Sequence, residues 1–376
     1  MPFNTLWQNL RIGIFRFTIA PRQPLLVPAV NKGNMLRGGF GHAFRKLCCV
    51  PQCRDTRTCP LVASCPYRVI FEPSPPQGSE RLSKNQDIPR PFIFRPPLTQ
   101  QTSFQKDEFF QFELILIGRA LEFLPYFVLS FRELAEEGLG LNRARCTLER
   151  VVELGPRDAN AATIRAATVS EPSIRAKEAD AGTLIYESPA EPIYDSNDQL
   201  FRSPRTICAD QWIEARLRSA NQNGDGTSRL SENREEAAKN GLPEAIERVT
   251  VRFLTPTFLR ADGEIIRRPE FHHLFKRLRD RINALCTFYG DGALDVDFQA
   301  LGKRAEKVCT IAAHFDWAER HRTSSRTHQR HELSGFIGEG TYKGDLTEFI
   351  PWLILAELVH VGKHAAWGNG WIRPQR

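Results

Sequence analysis

LRIGIFRFTIA, residues 10–20, places Ile12, Ile14, Phe15 and Phe17 among polar neighbours, the alternation of a half-buried β-strand. After a proline-rich loop, residues 34–47 carry Leu36, Phe40, Ala43, Phe44 and Leu47. At about 100° per residue these five share one stripe, so the segment is an amphipathic helix. Residues 68–72 and 91–95 (PFIFR) read as short strands on either side of a polar loop, and residues 108–118 (EFFQFELILIG) as a longer one. Residues 120–137 form a helix closed by Gly138 and Gly140, with Pro125 in an interior position that should shift its start or kink it. RCTLERVVEL, residues 145–154, alternates as a closing strand. Strand, helix, strands, helix, strand is the order of a ferredoxin-like βαββαβ domain.

From residue 156 the pattern fades into Ala, Ser, Asn, Asp, Glu and Gly, and residues 219–241 (SANQNGDGTSRLSENREEAAKNG) almost lack large apolar side chains. Such a composition predicts a polar, partly disordered connector. The first order then returns: a strand at 247–255, a helix at 268–288, strands at 293–302, 305–317 and 335–342, a helix at 346–360 and a glycine-rich end. The expected fold class is α+β, two tandem ferredoxin-like (RRM-like) domains. They span residues 1–155, with a cysteine-rich insertion at 48–65, and 246–376, with a glycine-rich loop at 362–371; the connector is 156–245. Four-stranded sheets of this type recur in RNA-binding modules.

Lys and Arg number 51 against 44 Asp and Glu, a net charge of +7 that points modestly to a polyanionic partner. The apolar runs at 114–117 and 352–361 are too short to cross a bilayer, so no membrane partner is expected. Residues 1–10 lack a basic segment followed by an apolar one, so the expected location is the cytoplasm. Nine cysteines, an odd number, argue against a disulfide framework there.

Five segments in order resemble the Cas6 family of CRISPR precursor-crRNA endoribonucleases, of the RAMP superfamily. They are LRGGFGHAF (36–44), CPY with FEP (65–67, 71–73), LTPTFL (254–259), GFIGEGTYKGDL (335–346) and ELVHVGKHAAWGNGW (357–371). The resemblance covers both halves of the chain and omits the connector. It departs at one position, where the family pattern favours Gly and this chain has His364.

The resemblance implies cleavage of CRISPR repeat RNA, or precursor crRNA, without a metal or other cofactor in catalysis. The ribose 2′-hydroxyl attacks the adjacent phosphate and leaves a 2′,3′-cyclic phosphate and a 5′-hydroxyl. That reaction needs a base, cationic groups on the phosphate and an acid at the leaving oxygen. His42 and Lys46, four apart on the first helix, lie nearly above one another, with Arg45 about 60° away. An imidazole beside an ammonium suits a base, and the ammonium suits a phosphate clamp. Spacing alone equally fits an ordinary surface histidine; the family's catalytic histidine, on or near this helix, favours His42 as base with Lys46 and Arg45 as its partners.

For RNA binding, the resemblance makes residues 362–371 the family's glycine-rich loop between the domains. Gly362, Gly368 and Gly370 would bare backbone N–H groups, Lys363 and His364 would meet phosphate, and Trp367 would stack on a base. A tight strand end with a core tryptophan is the competing reading. Arg37, Arg268, Arg277, Arg281, Arg322 and Arg326 supply rows of cations for a hairpin stem. His321, His328 and His331 lack ligand spacing and read as part of a solvated hairpin.

Cys49, Cys53, Cys59 and Cys65, spaced C-x3-C-x5-C-x5-C beside Cys48, suit a structural zinc, or alternatively an iron–sulfur cluster. The other readings are a non-catalytic RNA-binding subunit held with other subunits in a crRNA-guided effector complex, and a scaffold whose cysteine loop docks a protein. No DNA partner is expected.

Overall fold

The computed structural model describes residues 6–7, 9–50, 53, 59, 61, 64–73, 88–156, 186–187, 192–205, 207–222, 245–323 and 330–375. The first domain runs β1 (Ile12–Pro21), α1 (Lys32–Cys48), α2 (Pro66–Ile70), β2 (Phe92–Arg95), β3 (Phe110–Ile117), α3 (Leu124–Glu137) and β4 (Cys146–Pro156). Its antiparallel sheet has the order β2-β3-β1-β4. Then come α4 (Ala209–Gln222), β5 (Arg248–Thr257), α5 (Phe271–Tyr289), α6 (Phe298–Ala305), β6 (Cys309–Ala318), β7 (Gly335–Lys343), α7 (Ile350–Val359) and β8 (Ile372–Gln375). The second antiparallel sheet, β6-β7-β5-β8, repeats the ferredoxin-like order.

β1 is buried on both faces rather than one. Phe15, Phe17 and Ile19 pack under α1 and α3 with Phe40, Phe44, Phe127 and Phe131. Ile12 and Ile14 turn the other way into a core shared with Trp212 of α4, Phe275 of α5 and Leu353 of α7. β3 divides likewise, Phe112, Leu114 and Leu116 to the first side and Ile115 and Ile117 to the second. The run LILI is continuous because both faces meet apolar partners, as in a sheet covered on both sides. The two domains therefore share one interior.

Several local readings change. Residues 68–72 are not a strand: Pro66 opens α2, where its missing N–H costs nothing. Residues 293–302 are not a strand either, because Asp297 caps α6 through a 2.9 Å bond accepted from the Ala300 N–H. Pro125 sits in the first turn of α3 after a 3-10 turn over Gly118–Phe123, so α3 begins later than expected and needs no kink. The connector contains α4, whose Trp212 is buried and donates through Nε1 to the Ile12 carbonyl at 3.2 Å. Residues 223–244, most of the stretch read as disordered, lie outside the described residues.

Candidate nucleic-acid interface

α7 ends at Val359, and the chain then takes positive φ at His360 (59°), Gly362 (79°), His364 (67°), Gly368 (85°) and Gly370 (72°). His364 thus keeps the conformation a glycine would take at the family's glycine position, at a cost of about 1 kcal/mol. The LTPTFL segment holds this loop: Thr255 donates through Oγ1 to the Gly368 carbonyl at 2.8 Å and accepts from the Trp371 N–H at 2.9 Å.

The loop is closed by protein. A Cβ on Gly370 would overlap the Val361 carbonyl, and one on Gly368 would lie 2.6 Å from the Phe94 carbonyl oxygen. The N–H groups of Val361, Lys363, Trp367, Gly368 and Gly370 donate to Gly370, Phe258, His364, Ala365 and Pro256. These glycines therefore serve close packing, and the expectation of bare backbone donors at Gly368 and Gly370 does not hold.

The loop's outer side contributes to an open cleft of about 940 Å³ between the domains, lined by Gly362, Lys363, His364 and Trp367 with Arg277 and Arg281 of α5. Arg90, Arg260 and Arg279 line it too, against one carboxylate, Asp280. Six of the residues expected to bind RNA thus meet in one cleft. Arg90 and Arg260 were missed; Arg90 lies in a proline-rich loop and Arg260 follows LTPTFL, and neither belongs to a row of cations.

Arg281 donates through Nε to the Val359 carbonyl at 2.7 Å, while its buried Nη2 has no partner among the described residues. Burial draws its pKa down to about 10. Arg277 spans the Arg260 carbonyl at 2.8 Å and Asp280 at 3.8 Å and stays exposed.

Arg37 and Arg322 lie where α1 meets the loop. The Arg37 guanidinium is 4.3 Å from the Phe71 ring centre and 4.1 Å from that of Trp367, and Arg322 approaches Trp367 to 5.6 Å. Arg37 is 7% exposed, and burial, with Arg90 and Arg322 nearby, lowers its pKa to about 9. Because two guanidinium groups and, edge-on, the His364 ring engage Trp367, it is a structural aromatic rather than a vacant platform for a base. Arg268 is exposed before the start of α5 and is not in the cleft lining, and Arg326 lies outside the described residues.

His42 is exposed on α1, about 140° around the helix from Arg37. Lys46 is not a waiting phosphate clamp: it forms ion pairs with Glu133, at 2.9 Å, and Glu137 of α3. The hydrogen bonds to Glu137 and Glu133 hold its pKa above the ordinary value. Arg45 donates to the Cys53 carbonyl at 3.4 Å. Cys49, Cys53, Cys59 and Cys65 gather beyond the end of α1, and none of them lines the cleft. Among the described residues, the ligand atoms of Glu270, His272 and His273 lie within 4.8 Å of one another, a grouping that sequence spacing did not suggest. No helix of the described residues is long and apolar enough to cross a membrane.

Residues 251–372 match the family model described as CRISPR-associated endoribonuclease Cas6, and residues 10–178 match one described as an N-terminal domain. No curated protein matches the chain. A partial Cas6-RT-Cas1–Cas2 complex shares the fold with a TM-score of 0.52, at 10% identity over 98% of this chain and 46% of that one. A Thermus thermophilus Cas6 aligns at 13% identity over 97% of this chain and 99% of its own, with a TM-score of 0.45. In its duplicated ferredoxin-like fold and in the match over residues 251–372, the chain is similar to the Cas6 family.

Proposed function

We propose that this protein binds CRISPR repeat RNA and cuts it once per repeat in the cytoplasm, without a metal in the chemistry. The observation that carries this reading is the cationic cleft, where Arg277, Arg281 and Lys363 converge with His364 between two RNA-type folds. Such a surface grips phosphates by charge and leaves base pairing intact, as suits a hairpin stem.

Cleavage in this reading takes place on the open face of α1. His42 removes the proton from the 2′-hydroxyl, the 2′-oxygen bonds to the neighbouring phosphorus, and the 5′-oxygen leaves and takes up a proton. Arg45 faces the growing negative charge. Lys46, paired with Glu133 and Glu137, neutralises the carboxylates on this side rather than touching phosphate. Gly38, one turn before His42, supports an RNA path here: among the described residues nothing lies within 4 Å of a Cβ built on it. The glycine costs about 1 kcal/mol of helix stability with no packing return from those residues.

A second reading, an RNA-binding subunit that does not cut, draws on the placement of His42 outside the cleft and the engagement of Lys46. Single-turnover rates decide between them. His42→Ala should slow cleavage of the repeat by about a hundredfold or more while binding changes little. Unchanged cleavage by His42→Ala together with loss in His364→Ala would move the base into the cleft, and absence of cleavage by the wild type would favour the second reading.

A further inference from the structure

Cys49, Cys53, Cys59 and Cys65 lie within electrostatic reach of one another beyond the end of α1. Cys49 closes α1, its N–H donating to the Arg45 carbonyl at 2.9 Å, and Cys65 precedes the first turn of α2. The Cys53 thiol is in hydrogen-bonding contact with both the Cys49 and Cys59 thiols. Cys65 interacts electrostatically with Cys49 and with Cys48. Cys59 and Cys65 are each 7% exposed, and none of the five forms a disulfide.

Thiols are weak donors and weak acceptors, so mutual S–H contacts do little to hold four of them in one place. A metal ion gives the convergence a cause. Four thiolates can meet the tetrahedral preference of a thiophilic divalent ion. We propose that Cys49, Cys53, Cys59 and Cys65 bind one zinc ion as a closed, structural tetrathiolate centre. Each thiol releases its proton to solvent on binding, and no redox change is involved. The resulting double negative charge is offset in part by Arg45, which lies within electrostatic reach of Cys49.

The site lies apart from the RNA cleft and would act through α2. Tyr67 packs against Phe44 with ring centres 5.7 Å apart, and Phe71 against Phe40 at 6.0 Å. Phe71 also supports the Arg37 guanidinium from beneath. Zinc would pin the end of α1 to the start of α2 and so fix the floor under Arg37, whether or not the protein cuts RNA.

The test is elemental analysis of the full chain, purified without a polyhistidine tag, chelator or air. About one zinc per chain is expected, released as a mercurial titrates about four thiols. Cobalt substitution should give the absorption bands of a tetrahedral tetrathiolate. Cys53→Ser and Cys59→Ser should each lose the zinc and lower Tm, whereas Cys309→Ser and His273→Ala should keep it. A metal-free wild-type protein, iron with labile sulfide in place of zinc, a Cys53–Cys59 disulfide, or zinc that leaves with His273→Ala would each overturn the proposal. The wild-type measurements stand even where a cysteine variant does not fold.

Discussion

The guanidinium of Arg37 lies 4.1 Å from the centre of the Trp367 ring, which joins the first helix of one domain to the glycine-rich loop of the other. A desolvated contact of this kind is worth about 2 kcal/mol. Arg37→Ala and Trp367→Ala should each destabilise the fold, and the double variant by less than their sum, with a coupling of about 1–2 kcal/mol. Arg37→Lys keeps the charge but not the planar face and should restore little of the loss. Denaturant unfolding of the four variants and the wild type measures this; additive effects would show that the contact carries no energy.

The glycines separate into two kinds. Gly370→Val should lower stability by about 3 kcal/mol, because the side chain meets the Val361 carbonyl in left-handed backbone. Gly41→Ala should also destabilise, since its Cβ would overlap the buried Phe71 ring. Gly38→Ala should instead raise stability by up to about 1 kcal/mol, as expected for an open helix position. Thermal melts of the three variants give the order directly.

The order of the main strands and helices was legible because β1 and β4 alternate and α1 carries an apolar stripe, whereas residues 68–72 and 293–302 were read as strands although short helices occupy much of them. What could not be read was which faces meet. Ile12 and Phe15 look alike in sequence, yet one faces the second domain and the other its own helices. The cleft was legible in part, since Arg277, Arg281, Lys363 and His364 belong to segments marked by charge or by glycine. Arg90 and Arg260 were hidden because their partners in the cleft are far away in sequence. Lys46 was misread for a similar reason: the i,i+4 spacing from His42 was visible, but Glu133 and Glu137 arrive from another helix.

Charge in the cleft and charge on α1 should differ in their salt dependence. Arg277→Ala and Lys363→Ala should each reduce the slope of log affinity against log salt by about 1, the signature of one lost phosphate contact. Lys46→Ala should leave the slope unchanged, because its ammonium is already paired. Fluorescence-anisotropy titrations of repeat RNA at several salt concentrations distinguish the two cases.

Glu357, 3% exposed, faces Arg216 of α4 at 3.4 Å, and its burial raises the carboxyl pKa above the usual range. A raised carboxyl pKa means that the folded protein holds this proton more tightly than the unfolded chain does. Stability from this group is therefore fully present below pH of about 4.5 and declines as pH rises towards the folded pKa. Glu357→Gln does not titrate, so the Tm of the variant minus that of the wild type should increase over that interval. A difference that stays flat with pH would remove Glu357 from the balance.

The most direct measurement uses the CRISPR repeat RNA of the same genome in EDTA, with and without a single 2′-deoxy substitution at the nucleotide before the cut. The account expects the wild-type protein to cut the unmodified RNA to a 2′,3′-cyclic phosphate and a 5′-hydroxyl, and to bind the deoxy RNA with similar affinity while leaving it whole. Cleavage of the deoxy RNA, or cleavage of the unmodified RNA that stops in EDTA, would contradict it.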